Sequence, residues 1–236
     1  MEAIIFELDK AMEIILIASL FIALSIVIES LGAWLRFIGS VGSEAALGYS
    51  SHVRLATLGR FFILLSAPLL GYLIDSGVNS TSIATIGFLA FLLVFLCLLL
   101  SITKNLTPFF SGIYNFLNKK SDIKLEGMVF DNLKLNKKLA FYSFFSFGLT
   151  ASGILVVNYL ATIFTEQRAM IVQMAAFVTT LGTLIHAFMV DPVLARLCDS
   201  DEKLAYSSVR SFIVGRVFSS LFLILLFSIL VFYEQA

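Results

Sequence analysis

Residues 83–103 read IATIGFLAFLLVFLCLLLSIT, with no charge until Lys104 follows. The run is continuous and does not alternate, so it reads as a helix and not as a strand of a membrane barrel. About 20 apolar residues are enough to cross the hydrocarbon core of a bilayer. Working outward, five more such runs stand at about 14–37, 56–74, 139–163, 170–190 and 211–233. The whole chain agrees, since 59% of its 236 residues are hydrophobic and its mean hydropathy is +0.99. Charged residues make up 14%, against about a quarter in soluble domains. The expected fold is an all-α membrane protein of six transmembrane helices. Cys97 sits inside an apolar run and Cys198 in a polar stretch, which speaks against a disulfide framework or a thiolate metal site. No cofactor or metal is expected. Glu2, Glu7, Asp9 and Glu13 outweigh Lys10 at the start, the reverse of a signal peptide, so the first run is expected to be kept.

The 16 Lys and Arg residues sort by side. One side collects Lys10 and Arg168. The other collects Arg36, Arg54, Arg60, Lys104, Lys119, Lys120, Lys124, Lys134, Lys137, Lys138, Arg196, Lys203, Arg210 and Arg216. Basic loops stay in the cytoplasm, so both termini are expected outside. The long connection 104–138 contains Thr107 and Pro108 as a helix start, followed by Phe109, Ile113, Phe116 and Leu117 at helical spacing. It reads as an interfacial helix with Lys-rich chain against anionic lipid, or as a tether between halves, and the two are compatible. The expected division is a first three-helix unit over 1–103, a cytoplasmic basic linker over 104–138, and a second three-helix unit over 139–236.

Two phrases tie those units together. SAPLLGYLIDSG (66–77) and VDPVLARLCDSD (190–201) share Pro68/Pro192, Leu70/Leu194, Leu73/Leu197, Asp75/Asp199 and Ser76/Ser200 at a constant offset of 124. Three spans separate the copies, and an odd number of crossings reverses direction, which is the mark of an inverted-topology repeat. Transporters use such repeats because two halves of opposite direction can open a midplane site to either face in turn. Asp75 is expected to end the second span outside and Asp199 to follow the fifth inside, with Pro68 and Pro192 marking a helix kink or terminus.

Glu29, Arg60, His186 and Arg216 fall inside spans, where an unpaired charge costs about 2.5–3.5 kcal/mol on insertion scales. At 1.5 Å per residue all four lie roughly 5 to 12 Å inside the cytoplasmic boundary. Arg36, Arg54, Asp191, Arg196 and Arg210 crowd the same mouth. Arg36 and Arg210 stand close enough to helix ends to snorkel. Glu29 is too short for that and is expected to pair with Arg60 or Arg216. His186 reads as a hydrogen-bonded structural residue or a proton relay. Together they describe a cytoplasm-facing polar cavity with surplus positive charge, suited to phosphate or pyrophosphate. Arg60, Arg216, Arg36 and Arg210 are the candidate anion-binding residues, and Glu29, His186, Asp75, Asp191 and Asp199 the candidate polar partners or gating residues.

Nucleotide-binding GxxxxGK, zinc-binding HExxH and nucleophilic GxSxG motifs do not occur. Asp191, Asp199 and Asp201 near Arg196 offer carboxylates that in principle ligate Mg²⁺. That supports a second reading, a membrane phosphatase or transferase acting on a polyprenyl-phosphate lipid. A small-solute exporter is a third.

IESLGAWLRFIG, LGRFFILLSAPLLGYLID and MVDPVLARLCD resemble the Amj-type alternate lipid II flippases. Glu29, Arg36 and Gly39 match one family spacing; Arg60, Ala67, Pro68, Gly71 and Asp75 match the next; Asp191, Pro192 and Asp199 match the third. Ser30 stands in place of Thr, Trp34 near an expected Tyr, Ser66 in place of Gln and Cys198 in place of Thr. The resemblance implies a multi-pass protein of the bacterial plasma (inner) membrane, a transporter and not an enzyme, acting in peptidoglycan biosynthesis and cell shape. Its implied cargo is lipid II or a related polyprenyl-pyrophosphate glycolipid, moved from the inner to the outer leaflet. Membrane lipids are expected partners and nucleic acid is not; the small size of two three-helix halves also raises a homodimer.

Overall fold

Backbone polar groups in hydrocarbon find no water, so an apolar run must satisfy them within itself, as a helix. In the computed structural model, which describes residues 2–103, 106–119 and 134–233 with side chains from Ala11 onward, every one of the six runs is helical. They are α1 (Glu2–Val41), α2 (Ala45–Asp75), α3 (Ser80–Ser101), α5 (Lys137–Ile163), α6 continued by α7 (Arg168–Ile185 and Asp191–Cys198), and α8 (Glu202–Tyr233). A shorter helix, α4 (Thr107–Asn118), lies between α3 and α5. No strand occurs among the described residues. The chain is a multi-pass, all-α membrane protein. Lys104, Lys120 and Lys124, with much of the expected linker 104–138, lie outside the described residues.

Several helices begin earlier than their apolar runs. α2 starts at Ala45, not near 56, because its first three turns bury a small, polar face of Gly48, Ser51 and His52. α8 starts at Glu202, not near 211, with Ala205, Ser207, Ser208 and Val209 buried. Hydropathy misses these turns because neighbouring protein, not lipid, surrounds them. The small residues do a specific job: a Cβ on Gly39 of α1 would sit 2.5 Å from the Gly48 Cα of α2. The two backbones therefore touch just after the three-residue connection.

Helix packing falls into matched pairs. α1 packs along α2 as α5 packs along α6; α1 packs on α3 as α5 packs on α8; α1 meets α8 as α5 meets α3; and α3 packs on α8. Exchanging the first three membrane helices with the last three leaves this scheme unchanged. α1, α3, α5 and α8 make the central bundle, with α2 and α6 laid against it. Helices approach closely through hydroxyls bonded to backbone: Ser143 Oγ donates to Phe212 O at 2.8 Å and Ser146 Oγ to Gly182 O at 3.0 Å. α4 begins at Thr107 with Pro108 in its first turn and docks one face on the α1–α2 hairpin. Phe110 stacks on Trp34 at 5.7 Å, Tyr114 Oη donates to Glu44 Oε2 at 3.3 Å, and burial pushes the Tyr114 phenol above its ordinary pKa. Phe109 and Phe116 stay exposed on the other face.

The two prolines act differently. α2 continues through Pro68 to Asp75 as one α-helix. Before Pro192 the helix widens into a π turn, His186–Val190, and resumes as α7. Proline lacks an N–H and its ring crowds the carbonyl four residues back, and a turn with one extra residue relieves both problems.

Candidate functional site

A cavity of about 300 Å³ lies inside the bundle, lined by α1, α2, α5, α6 and α8. Glu29, Arg60, His186 and Arg216, the four ionisable residues read as buried in spans, all line it. So do the hydroxyls of Ser25, Ser146, Thr150, Thr179 and Thr183. α2 and α6 do not pack along one another. This leaves the cavity a side opening flanked by exposed Arg60 on α2 and exposed Thr183 on α6.

The arginines are not equivalent. Arg216 is 3% exposed. Its Nη1 donates to Ser30 Oγ at 2.6 Å and its Nη2 to Glu29 Oε1 at 3.2 Å. The Phe212 ring lies 4.3 Å and the Phe147 ring 5.2 Å from its Cζ. A guanidinium gripped on this many sides is part of the wall. Arg36 is also enclosed, at 4% exposure, where the sequence reading would have it snorkel to the inner headgroups. Its Nη2 donates to Asp191 Oδ1 at 2.7 Å, and its Cζ lies 4.7 Å from the Tyr49 ring centroid. His186 Nε2 stands 3.6 Å from the same Asp191 oxygen. α1 is thus tied to α8 through Glu29 and Arg216, and to the start of α7 through Arg36 and Asp191.

Arg60 differs from both. It is exposed to the cavity mouth, and among the described residues it has no acidic partner. Arg210 lies outside the cavity lining and Asp75 at the far end of α2, where it faces Arg168. Asp199 lines a separate cavity beside Arg36. Among the described residues no three His, Cys, Asp or Glu side chains converge as metal ligands, so Asp191, Asp199 and Asp201 do not form a cluster.

Sequence reading overlooked the hydroxyl lining. The available signal was the spacing of Ser146 with Thr150, and of Thr179, Thr183 and His186, each set on one helical face. Ser30 entered only as a departure from a family pattern, yet it accepts the shortest bond that Arg216 makes.

The lining residues also pair along the chain. Ser25, Ile26 and Glu29 on α1 stand 121 positions before Ser146, Phe147 and Thr150 on α5; Arg60 and Ile63 on α2 stand 123 before Thr183 on α6 and His186 at the start of the π turn. Past the π turn the step becomes 124, as in Pro68 and Pro192. One residue is gained where one extra residue is wound into the helix. The contacts match too: a Cβ on Gly59 would lie 2.7 Å from Ser25 O, and one on Gly182 would lie 2.8 Å from Ser146 O.

Comparison with known proteins adds an independent finding. A family model described as Amj, Alternate to MurJ, matches residues 112–233. The match takes in α5 to α8, whereas most residues carrying the resemblance noted from the sequence lie before it. No curated protein and no solved structure matches the chain. With more than half of its length under the family model, this chain belongs to the Amj (Alternate to MurJ) family.

Proposed function

We propose that the protein is a flippase that carries lipid II, the undecaprenyl-pyrophosphate-linked peptidoglycan precursor, from the inner to the outer leaflet of the bacterial plasma membrane. The family supports the class of activity. The observation that carries the reading is Arg60: a guanidinium without an acidic partner among the described residues, at the mouth of a side-open cavity between membrane helices. A planar donor fork at such a place suits a phosphate oxygen pair. The polyprenyl tail would remain in hydrocarbon and leave through the opening between α2 and α6; the hydroxyls of Thr150, Thr179 and Thr183, which donate to carbonyls four residues back, would have to turn from them to reach the phosphates. Arg216 and Arg36, each already holding a carboxylate, would set the walls of the site and leave the anion to Arg60.

Two units of opposite direction would supply the motion. Three observations support an inverted repeat: the matched helix packing, the stepwise pairing of cavity residues, and the π turn where the step grows by one. α2 and α6–α7 run antiparallel, since the end of α2 faces the start of α6 and the start of α2 lines one cavity with the end of α7. Such units can expose one site to each face in turn. The basic residues favour both termini outside.

The test is Arg60→Ala in reconstituted vesicles with leaflet-resolved lipid II. A hydrogen bond to a charged group is worth about 1.5–3 kcal/mol, so transport should fall by roughly ten- to a hundredfold with protein level unchanged. Arg60→Lys should retain part of it, keeping charge and losing the fork. Normal transport by Arg60→Ala removes the assignment.

A further inference from the structure

The phrase shared by 66–77 and 190–201 sets an aspartate at the end of two antiparallel helices, and the two aspartates have unlike surroundings. Asp75 closes α2, and its Oδ1 lies 3.6 Å from Nη1 of Arg168, the first residue of α6. At the opposite end of the same helix pair, Asp199 follows α7 and lines a cavity of about 400 Å³ together with Ala45 and Ala46 from the first turn of α2. By the 123-residue step that relates α2 to α6, Arg168 corresponds to Ala45. Equivalent positions are therefore bridged at one end, while at the other Ala45 and Asp199 face a common void, with the end of α7 held to α1 there by the Ser40 Oγ bond to Cys198 O.

The void contains an unmet demand. Arg36 lines it, 4% exposed, with Nη2 on Asp191. Its Nε and Nη1 are buried and have no hydrogen-bond partner. Buried guanidinium donors left unpaired are costly, and such donors beside a carboxylate on the same cavity wall mark a place where a bond forms when the wall moves. The Asp75–Arg168 tie is exposed and correspondingly weak, easy to open.

We propose that Asp75–Arg168 and Asp199–Arg36 are paired gates at opposite ends of the α2/α6–α7 cleft. In the present arrangement the first is shut and the second open. In the other arrangement the start of α2 and the end of α7 close together, Asp199 meets a free donor of Arg36, and Asp75 parts from Arg168. The proposal rests on the transport reading above, with alternation about the cavity holding Arg60.

Crosslinking tests it without any cargo. In a chain with Cys97→Ala and Cys198→Ser, the pairs S76C/Q167C and A46C/A195C, which stand beside the two gates and leave Asp75, Arg168, Arg36 and Asp199 in place, are treated in vesicles with a short bismaleimide. The first pair should react in most molecules and the second in a minority. D75N, added to the second pair, removes the first tie and should raise its yield several-fold; R168Q should do the same, and the exchange D75R/R168D should return it to the original level. Unchanged yield in D75N and R168Q, or full reaction of both pairs within one four-cysteine molecule, overturns the gates. Coupled yields in a protein that does not move lipid II would sink the cargo assignment and leave the gates standing. Transport of lipid II with uncoupled yields would do the reverse.

Discussion

Arg216 is a charge the bundle keeps for itself. Its guanidinium is 3% exposed and bonded to Glu29 and Ser30. Breaking a buried ion pair from one side costs about 3–5 kcal/mol, because the remaining charge is stranded. Glu29→Ala should therefore lower the thermal midpoint sharply in detergent, and Glu29→Leu with Arg216→Met should recover most of the loss. Arg60→Ala should leave the midpoint nearly unchanged, within about 0.5 kcal/mol, since exposed groups away from special contacts contribute little. The contrast separates wall from ligand contact by stability alone. The sequence placed Glu29 among membrane residues needing a partner, and depth narrowed that partner to two arginines. Depth could not choose between them, because it fixes height along a helix and leaves open which face of α8 turns toward α1.

At the scale of elements, the π turn before Pro192 marks where α6–α7 carries one residue more than α2. Deleting Phe188, which is 76% exposed, should wind His186–Val190 into plain α-helix and keep Asp191 facing Arg36. A monodisperse, folded protein is the expected result by size-exclusion chromatography. Deleting Ala175, in regular α6, has no such slack: every later residue turns by about 100°, and the protein should fail to fold. Gly182→Leu should be severe as well, since even a Cβ there collides with Thr150 and with Ser146 O; overpacking costs about 1–3 kcal/mol, or more against backbone. Helix existence was readable in the apolar runs and helix ends were not. The first turns of α2 and α8 are polar by composition and buried by neighbours, a fact of tertiary packing.

For the whole molecule, six spans were legible because hydropathy is a property of the chain in one dimension, and the recurrence of Pro68 and Asp75 as Pro192 and Asp199 is what first suggests the proposed repeat. Which helices touch, and that the cavity opens between α2 and α6, depended on small residues such as Gly48 and Ser146 whose partners sequence does not name. Sidedness has a direct test. In the chain with Cys97→Ala and Cys198→Ser, Gly77→Cys should react with an impermeant maleimide in intact cells, and Ser200→Cys only after permeabilisation; the opposite pattern would invert the topology. A last consequence concerns voltage. Because Glu29 cancels Arg216 and Asp191 cancels Arg36, Arg60 is the cavity arginine left to offset cargo charge, and under the proposed transport a pyrophosphate passing it would keep part of its negative charge. Each uncompensated unit driven out of an inside-negative cell gains about 2.3 kcal/mol per 100 mV, so the resting potential would act as a one-way motor that ionophores silence.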